Sequence, residues 1–594
     1  MRFKSARVGG YQVFAVSGVN TISFGIDAAA AAKPGLLGFA VERVDAAADE
    51  RYVMPGFKVF PSLIPHPDEH TQVSTWDHPV QSFVWDDFTA KPEREYRYLF
   101  HPLKGKPKNL DRSAAPVPID VRTEPLFSTL EHDVFFNRGV ASSQAYARRF
   151  GNKKPDELPP ARRAEALQWL TRELDDAVLR FIGQAKAGDT LLCCFYEFRY
   201  EPVARALASA ITAGVDVKII IDAKVNEYTD SKDVFHPSFP RRDNLSLIST
   251  VGIPRKRVIR REARPSDIQH NKFMVLLRGA RRQPAEVWTG STNISLGAFS
   301  GQTNVGHWLR DAEVAAQYQT YWELLSQDPG GKADDSASAS KKANAAFRAA
   351  VEAIRGVPDT PDAIPKGVTP VFSPRASLAA LDLYVNLVDS AAQASFITLA
   401  FGIGQAFREQ LKDNTAQSHI TFILLEKKDA PNPRSKQTFV AINASNNVYK
   451  AWGAYIEDPV YQWARETNAR ALDLNEHVSY VHSKFLMRDP LGDDPIVVTG
   501  SANFSDASTK DNDENMVIIR GNARVADIYF TEFNRLFNHY YFRSVVEDLQ
   551  AAGRKPDDAS LFLAETDGWL GKYEPGTFRA KRLALYTEMQ GAVG

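Results

Sequence analysis

The chain has 594 residues, 44% of them hydrophobic and 24% charged. It is too long for one compact domain and too apolar for a disordered chain, so about two or three globular domains are expected. Its 72 Lys and Arg balance its 72 Asp and Glu, which argues against a chain given over to polyanion binding but leaves room for a local basic groove. The only cysteines, Cys193 and Cys194, are neighbours and read as buried thiols on a strand, in keeping with a reducing compartment. Met1 to Ser17 lacks the apolar stretch of a signal peptide, and no run of about 18 apolar residues occurs, so a cytoplasmic protein is expected.

Taken in chain order, residues 1–128 begin with seven short runs in which apolar and polar residues alternate: Tyr11–Ser17, Thr21–Asp27, Leu37–Arg43, Phe57–Phe60, Val80–Trp85, Tyr96–Phe100 and Ile119–Arg122. Gly, Pro and Asp punctuate them, as between strands of an all-β sandwich. The pattern resembles a fibronectin type III or immunoglobulin-like module. It carries no cluster of chemical residues, so a scaffold, a substrate-positioning domain or a contact for a partner protein is expected there.

Residues 129–329 change character. Leu167, Leu170, Leu174, Val178 and Phe181 recur at helical spacing. The apolar run Thr190–Tyr196 reads as a buried strand, Val203–Ala213 as a helix closed by Gly214, and Val217–Asp222 as a second strand. Strand, helix, strand at this spacing is a βαβ unit with a parallel pair. Residues 366–594 repeat the order, with a helix at Leu378–Ala391, a strand at Phe396–Phe401, a helix at Gln405–Leu411 and a strand at Ile420–Leu425. Residues 330–365 between the halves read as a linker, in which Gly330–Asn344, small and charged from Ala333 to Lys341, cannot build a core. The fold class expected is a β-sandwich followed by two tandem α/β lobes. The aromatic series Tyr529, Phe530, Phe533, Phe537, Tyr540 and Tyr541 reads as core or lobe–lobe packing. The tail, with Phe562, Trp569, Leu570 and Tyr573, is expected to pack back on the protein.

Each lobe closes on the same pair of signals. His270, Lys272 and the turn Gly290-Ser-Thr-Asn293 recur as His482, Lys484 and Gly500-Ser-Ala-Asn503. Residues i and i+2 of a strand share a face, so each lobe offers one imidazole, one ammonium and one amide at one edge. One His-x-Lys is an ordinary strand edge, but two copies in matching places point to chemistry. Facing lobes would gather two imidazoles and two ammoniums, a site suited to a phosphodiester. One imidazole can attack phosphorus to form a phosphohistidine while the other gives a proton to the leaving oxygen and later takes one from water. The lysines do what a metal would otherwise do, and no cofactor or metal is called for.

These motifs resemble the phospholipase D superfamily and its duplicated HxKxxxxD and GSxN signatures, over roughly Phe135 to Phe542. The second copy is complete, with Asp489 in the acidic position as a structural support. The first holds Leu277 there. The resemblance implies His270 as nucleophile and His482 as general acid, with Lys272, Lys484, Asn293 and Asn503 on the phosphate oxygens. Glu514 matches the family's acidic element, suited to holding an imidazole tautomer, and Gln302-Thr-Asn304 is its uncharged counterpart in the first lobe. Ser291, Ser501 and Asn304 join the candidate substrate-binding residues.

The substrate class stays open between nucleic acid and phospholipid. The basic stretch Pro254–Arg264, with Arg257 and Arg260, can border the cleft and follow a nucleic-acid backbone. The run from Gly500 resembles the small bacterial nucleases of the superfamily. A phospholipase would need an apolar rim, for which Tyr449, Trp452, Tyr455, Tyr461 and Trp463 are candidates. A silent phosphate-binding module, or a metal enzyme using Asp473, Glu476, His477 and His482, are the readings of other classes. No oligomeric state follows from the sequence.

Overall fold

The computed structural model describes residues 1–56, 58–67, 71–139, 144–151, 153–231, 233–414, 419–431, 438–453, 479–551 and 562–594. The alternation read in the first stretch builds two antiparallel sheets. One runs Arg2–Lys4, Tyr11–Ser17, Ile22–Ala28, Val84–Asp87; the other runs Asn109–Asp111, Glu95–Lys106, Leu36–Asp45, Glu50–Val53, with Val117–Arg122 also on Glu95–Lys106. Their inward residues, among them Val13, Phe24, Phe39, Tyr98 and Phe100, share one core. The strand expected from Val80 begins at Val84. Of the run expected at 57–60, Phe57 lies outside the described residues, and 58–60 form no strand.

The two lobes have the same sheet. In the first, the spatial order is His132–Phe136, Val305–Leu309, Gln283–Gly290, Lys272–Arg278, Thr190–Phe195, Asp216–Asp222, Val258–Arg261. In the second it is Gly367–Ser373, Glu514–Arg520, Ile496–Gly500, Phe485–Arg488, Ala394–Leu399, Ile420–Leu425, Val448–Trp452. The expected parallel pairs are present, Thr190–Phe195 on Asp216–Asp222 and Ala394–Leu399 on Ile420–Leu425. Cys193 and Cys194 are free thiols inside the first of these strands. Gly214 follows its helix at φ 89°, the left-handed position glycine takes most readily.

Two expectations are corrected. The helix read across Leu167–Phe181 is two helices, Pro160–Thr171 and Leu174–Gly183, broken where Arg172 (φ 42°) and Glu173 (φ 64°) turn left-handed. The break brings Arg172 to a buried ion pair with Glu532 at 2.7 Å, a long-range gain that overrides local helix preference. Within 330–365, read as a surface linker, the chain forms an 18-residue helix, Ala337–Ile354. Its second half buries Phe347 and Val351, and Phe347 lies beneath the guanidiniums of Arg261 and Arg264 at 5.2 and 5.5 Å.

The long helix Ala523–Ala551 packs the lobes together. Tyr529 meets Phe136 of the first lobe edge-on at 5.3 Å and Phe485 of the second at 5.1 Å. Phe533 sits among Phe396, Phe485 and Phe537. The tail packs on the N-terminal sheets: Trp569 Nε1 donates to the Leu36 carbonyl at 2.9 Å, and Tyr586 covers Gly25 so closely that a Cβ there would lie 2.4 Å from the Tyr586 Cβ. Among the described residues no helix is long and apolar enough to cross a membrane.

Phe533 is fully buried, so truncating it leaves a cavity between the long helix and the second-lobe sheet. Phe533→Ala is expected to cost about 3–5 kcal/mol, read as a lower urea midpoint.

Candidate active site

Both His-x-Lys motifs sit where a strand begins at the edge facing the other lobe. Lys272 opens the strand Lys272–Arg278, and Lys484 directly precedes Phe485–Arg488. Each ammonium donates to the carbonyl of its own histidine, Lys272 Nζ to His270 O at 2.5 Å and Lys484 Nζ to His482 O at 2.7 Å. Gly290 and Gly500, at φ 136° and 158°, let the Gly-Ser-x-Asn turns pass close to the neighbouring strand. A Cβ there would lie 2.3 Å from the Val305 carbonyl oxygen or 2.2 Å from that of Asn515.

The lobes meet through two matching backbone bridges. His270 N donates to Asp513 O (2.9 Å) and Asp513 N to Ile268 O (3.0 Å); His482 N donates to Thr303 O (3.2 Å) and Thr303 N to Tyr480 O (2.8 Å). The residue after each bridging position therefore reaches across. His270 Nδ1–H donates to both Glu514 carboxylate oxygens, at 2.9 and 3.0 Å. His482 Nδ1–H donates to Asn304 Oδ1 at 2.9 Å. Buried carboxylates fix the segments leading in: Asp222 accepts from Gln269 N at 2.8 Å, and Glu426 from Ser479, Tyr480 and Val481 N at 2.9, 2.9 and 2.7 Å.

This geometry corrects three expected substrate contacts. Ser501 Oγ donates to Glu514 at 2.6 Å and Ser291 Oγ to Asn304 Oδ1 at 2.9 Å. Asn304 also spends its Nδ2 on Ala298 O at 2.9 Å. All three are fully buried and stand behind the imidazoles, because the lobes exchange these side chains.

Electrostatics follow from burial. It raises the Glu514 carboxyl to about 7 against the pull of Lys272 and Lys484. Burial, then the charges of both lysines, pushes His270 and His482 well below the ordinary imidazole range. Burial lowers Lys272 to about 8, and burial with the charge of Lys272 lowers Lys484 well below its usual value. A site so desolvated gains by taking in an anion beside its ammoniums.

The basic stretch is not gathered into the site. Arg257 pairs with Asp216 at 2.7 Å, at the start of a strand whose other end adjoins His270. Arg260 is exposed on the edge strand. Arg261 and Arg264 turn inward to Asp513, at 2.8 and 3.1 Å. Asp489 accepts from the amides of Ala392, Gln393 and Ala394 at 2.8, 2.7 and 3.0 Å, while Leu277 is buried in the core. Of the expected apolar rim, Tyr449 stacks on Phe578 at 4.1 Å and Trp452 Nε1 donates to Glu547. Tyr455, Tyr461 and Trp463 lie outside the described residues, as do Asp473, Glu476 and His477.

Two site residues escaped the sequence reading. Tyr196 faces the His270 ring at 5.0 Å, with Lys272 Nζ at 5.4 Å from its own ring. Glu197 accepts from Asn293 Nδ2 at 2.7 Å. Both directly follow the strand Thr190–Phe195, and the C-terminal end of a parallel strand is the signal that could have marked them. The Oδ1 atoms of Asn293 and Asn503 are buried without a hydrogen-bond partner.

Tandem α/β lobes sharing two histidines and two lysines across one cleft define a two-lobed phosphodiesterase architecture. The description "Cardiolipin synthase, PLD-like domain" matches residues 178–325 and 384–537, one stretch per lobe and together just over half of the chain. The chain belongs to this family, within the phospholipase D superfamily of phosphodiesterases and phosphotransferases. No curated protein matches it. Among solved structures, polyphosphate kinase of Porphyromonas gingivalis is 10% identical over 59% of this chain and 46% of its own, less than half its length, with a TM-score of 0.35. Phosphatidylserine synthase of Haemophilus influenzae is 12% identical over 66% and 94%, TM-score 0.40. Nuc of Salmonella typhimurium, described as a phospholipase D family member, is 17% identical over 29% and 95%, TM-score 0.20.

Removing the Asp489 carboxylate strands three amide donors ahead of the strand Ala394–Leu399. Asp489→Ala is expected to lose about 1–3 kcal/mol in denaturant titration, with Asp489→Asn losing less.

Proposed function

We propose that this chain hydrolyses phosphodiesters without a metal, through a phosphohistidine on His270. The observation that carries this reading is the unequal backing of the two imidazoles. Glu514 puts negative charge behind His270 Nδ1–H, which stabilises the positive charge that ring acquires on bonding to phosphorus. The neutral amide behind His482 offers no such stabilisation; burial and the two lysines hold that ring well below the ordinary imidazole range until a bound anion offsets them, and its imidazolium then gives up a proton readily. His270 Nε2 attacks phosphorus as the bond to the leaving oxygen breaks, and His482 supplies that oxygen's proton. His482 then takes a proton from water, whose oxygen displaces His270 from phosphorus. Lys272 and Lys484, with Asn293 and Asn503, neutralise the phosphoryl oxygens.

The substrate reading kept first is a nucleic-acid backbone, supported by the likeness of the Gly500–Ser505 run to small nucleases. The basic stretch supports it less than its sequence promised, since Arg257, Arg261 and Arg264 are taken by carboxylates. A phospholipid is the second reading, favoured by exposed apolar side chains just past the parallel strands of both lobes: Val225, Tyr228, Val234 and Phe235 in the first, Phe401 in the second. The N-terminal sheets we read as a fibronectin type III-like sandwich serving as a scaffold or partner contact.

Labelled single- and double-stranded DNA, RNA and phospholipid vesicles, each in excess EDTA, test the reading. Cleavage of one class is expected, unchanged by the chelator and reduced about 10³-fold or more in His270→Ala. His482→Ala is expected to accumulate an acid-labile adduct on His270. An adduct on His482 in the wild type or in His270→Ala, or activity lost to EDTA, would sink the mechanism.

The pH dependence has a defined sign. Glu514 is raised to about 7, so its carboxylate is present above that pH and lost as pH falls through it. Lys272 is lowered to about 8, so its charge is lost as pH rises through that value. The profile of kcat/KM is expected to be a bell between these limbs. Glu514→Gln should shed the acid limb and lower the plateau about tenfold or more.

A further inference from the structure

We propose that Glu197 sets the charge class of the anion that the site accepts, admitting the monoanion of a phosphodiester and disfavouring a phosphate dianion. This rests on the phosphodiesterase reading of the same site and adds a specificity-determining residue to it.

Glu197 is a buried carboxylate, 7% exposed, on the first-lobe wall. Its Oε1 accepts from Nδ2 of Asn293 at 2.7 Å, so it touches a residue assigned to the phosphate oxygens. That bond commits one of the amide's two N–H groups and leaves one for substrate. Its charge opposes the burial that lowers Lys272 and Lys484, so its field reaches both ammoniums. Arg199 donates to its Oε2 at 3.0 Å but does not cancel it cleanly: this cation is partly exposed, lies 4.0 Å from Asp243 and stacks on Phe239.

Among the described residues, the matching position of the second lobe carries no carboxylate. Phe195 pairs with Lys272, and Ile397 with Leu486, which sets Leu399 opposite Lys484. The position matching Glu197 is then Phe401, exposed and apolar. Lys272 and Lys484 therefore feel two carboxylates that differ in place, Glu514 behind His270 and Glu197 beside Asn293. Glu514 holds an imidazole, whereas Glu197 holds Asn293, a residue assigned to the phosphate oxygens. In a buried site the repulsion from a fixed charge is proportional to the charge of the ligand. A phosphodiester carries one negative charge, and a phosphate monoester or inorganic phosphate carries about two above neutrality. Glu197 thus penalises the dianion twice as strongly in free energy.

Phosphorus NMR titration at about pH 8, with dimethyl phosphate and inorganic phosphate as probes, reads this without turnover. In E197Q, which keeps an acceptor for Asn293 and removes one charge, dimethyl phosphate is expected to bind about threefold tighter. Inorganic phosphate is expected to gain about the square of that, roughly tenfold. R199A, which strips the carboxylate of its cation, should move the ratio the other way, and it carries the test if E197Q does not fold. Equal gains for the two anions, or no change in either variant, would overturn the role of Glu197 while leaving the phosphate site standing. No binding of either anion by wild type and E197Q, with K272A as control, would overturn the phosphate site and this proposal together.

Discussion

Everything at the active site depends on two short backbone bridges between the lobes, Gln269 to Asp513 and Thr303 to Val481. Each joins the segment before a histidine to the segment before the side chain that holds it. Because the bridges are backbone, the imidazoles are placed without recruiting flexible side chains, at little entropic cost beyond that of folding the lobes. A lobe alone would have its histidine and lysine but would lack the Nδ1 acceptor. The candidate site thus needs the pair of lobes, and the aromatic helix Ala523–Ala551 packs against both.

The bridges are symmetric and the groups they deliver are not. Glu514 and Asn304 occupy matching positions, each taking a serine hydroxyl from a Gly-Ser-x-Asn turn and an Nδ1–H from the opposite histidine. One carries a charge and the other does not. A duplicated scaffold with identical groups would give two interchangeable imidazoles, whereas nucleophile and acid need different proton affinities. The difference of one functional group, carboxylate against amide, makes the surroundings of the two imidazoles unequal, and the roles proposed for them rest on it. Asp513, next to Glu514, shows what holding that carboxylate requires: Arg261 and Arg264 both close on it, and Phe347 lies beneath them.

The histidines, lysines and turns were legible because they are local patterns repeated, and a repeat needs no knowledge of contacts. The two lobes were legible for the same reason: the order of strand and helix recurs, and the sheets prove superposable in strand order. What could not be read is the exchange between lobes. Glu514 lies 244 residues from His270, and within its own motif it looks like a partner for His482. The basic stretch misled because charge was counted without facing. Along Val258–Arg261 alternate residues face opposite ways, so Arg260 points out while Arg261 is buried, and the carboxylate that makes that burial tolerable is again in the other lobe. Arg172 and Glu173 broke a helix for a contact with Glu532, equally invisible to local propensity.

The failed readings of Arg172, Arg257, Arg261 and Arg264 share one cause: each was read from its neighbours in sequence, and each was decided by an ion pair with another segment. Several buried arginines find a carboxylate in another segment, as a buried charge requires a partner. Arg2 on Asp527, Arg172 on Glu532, Arg261 on Asp513 and Arg524 on Glu124 tie the N-terminal sheets, the first lobe and the second into one body. A buried pair adds little net stability but penalises any arrangement that separates its members. These pairs therefore act mainly on geometry: they make misdocked lobes costly, and correctly docked lobes are the condition on which both crossed histidine contacts depend.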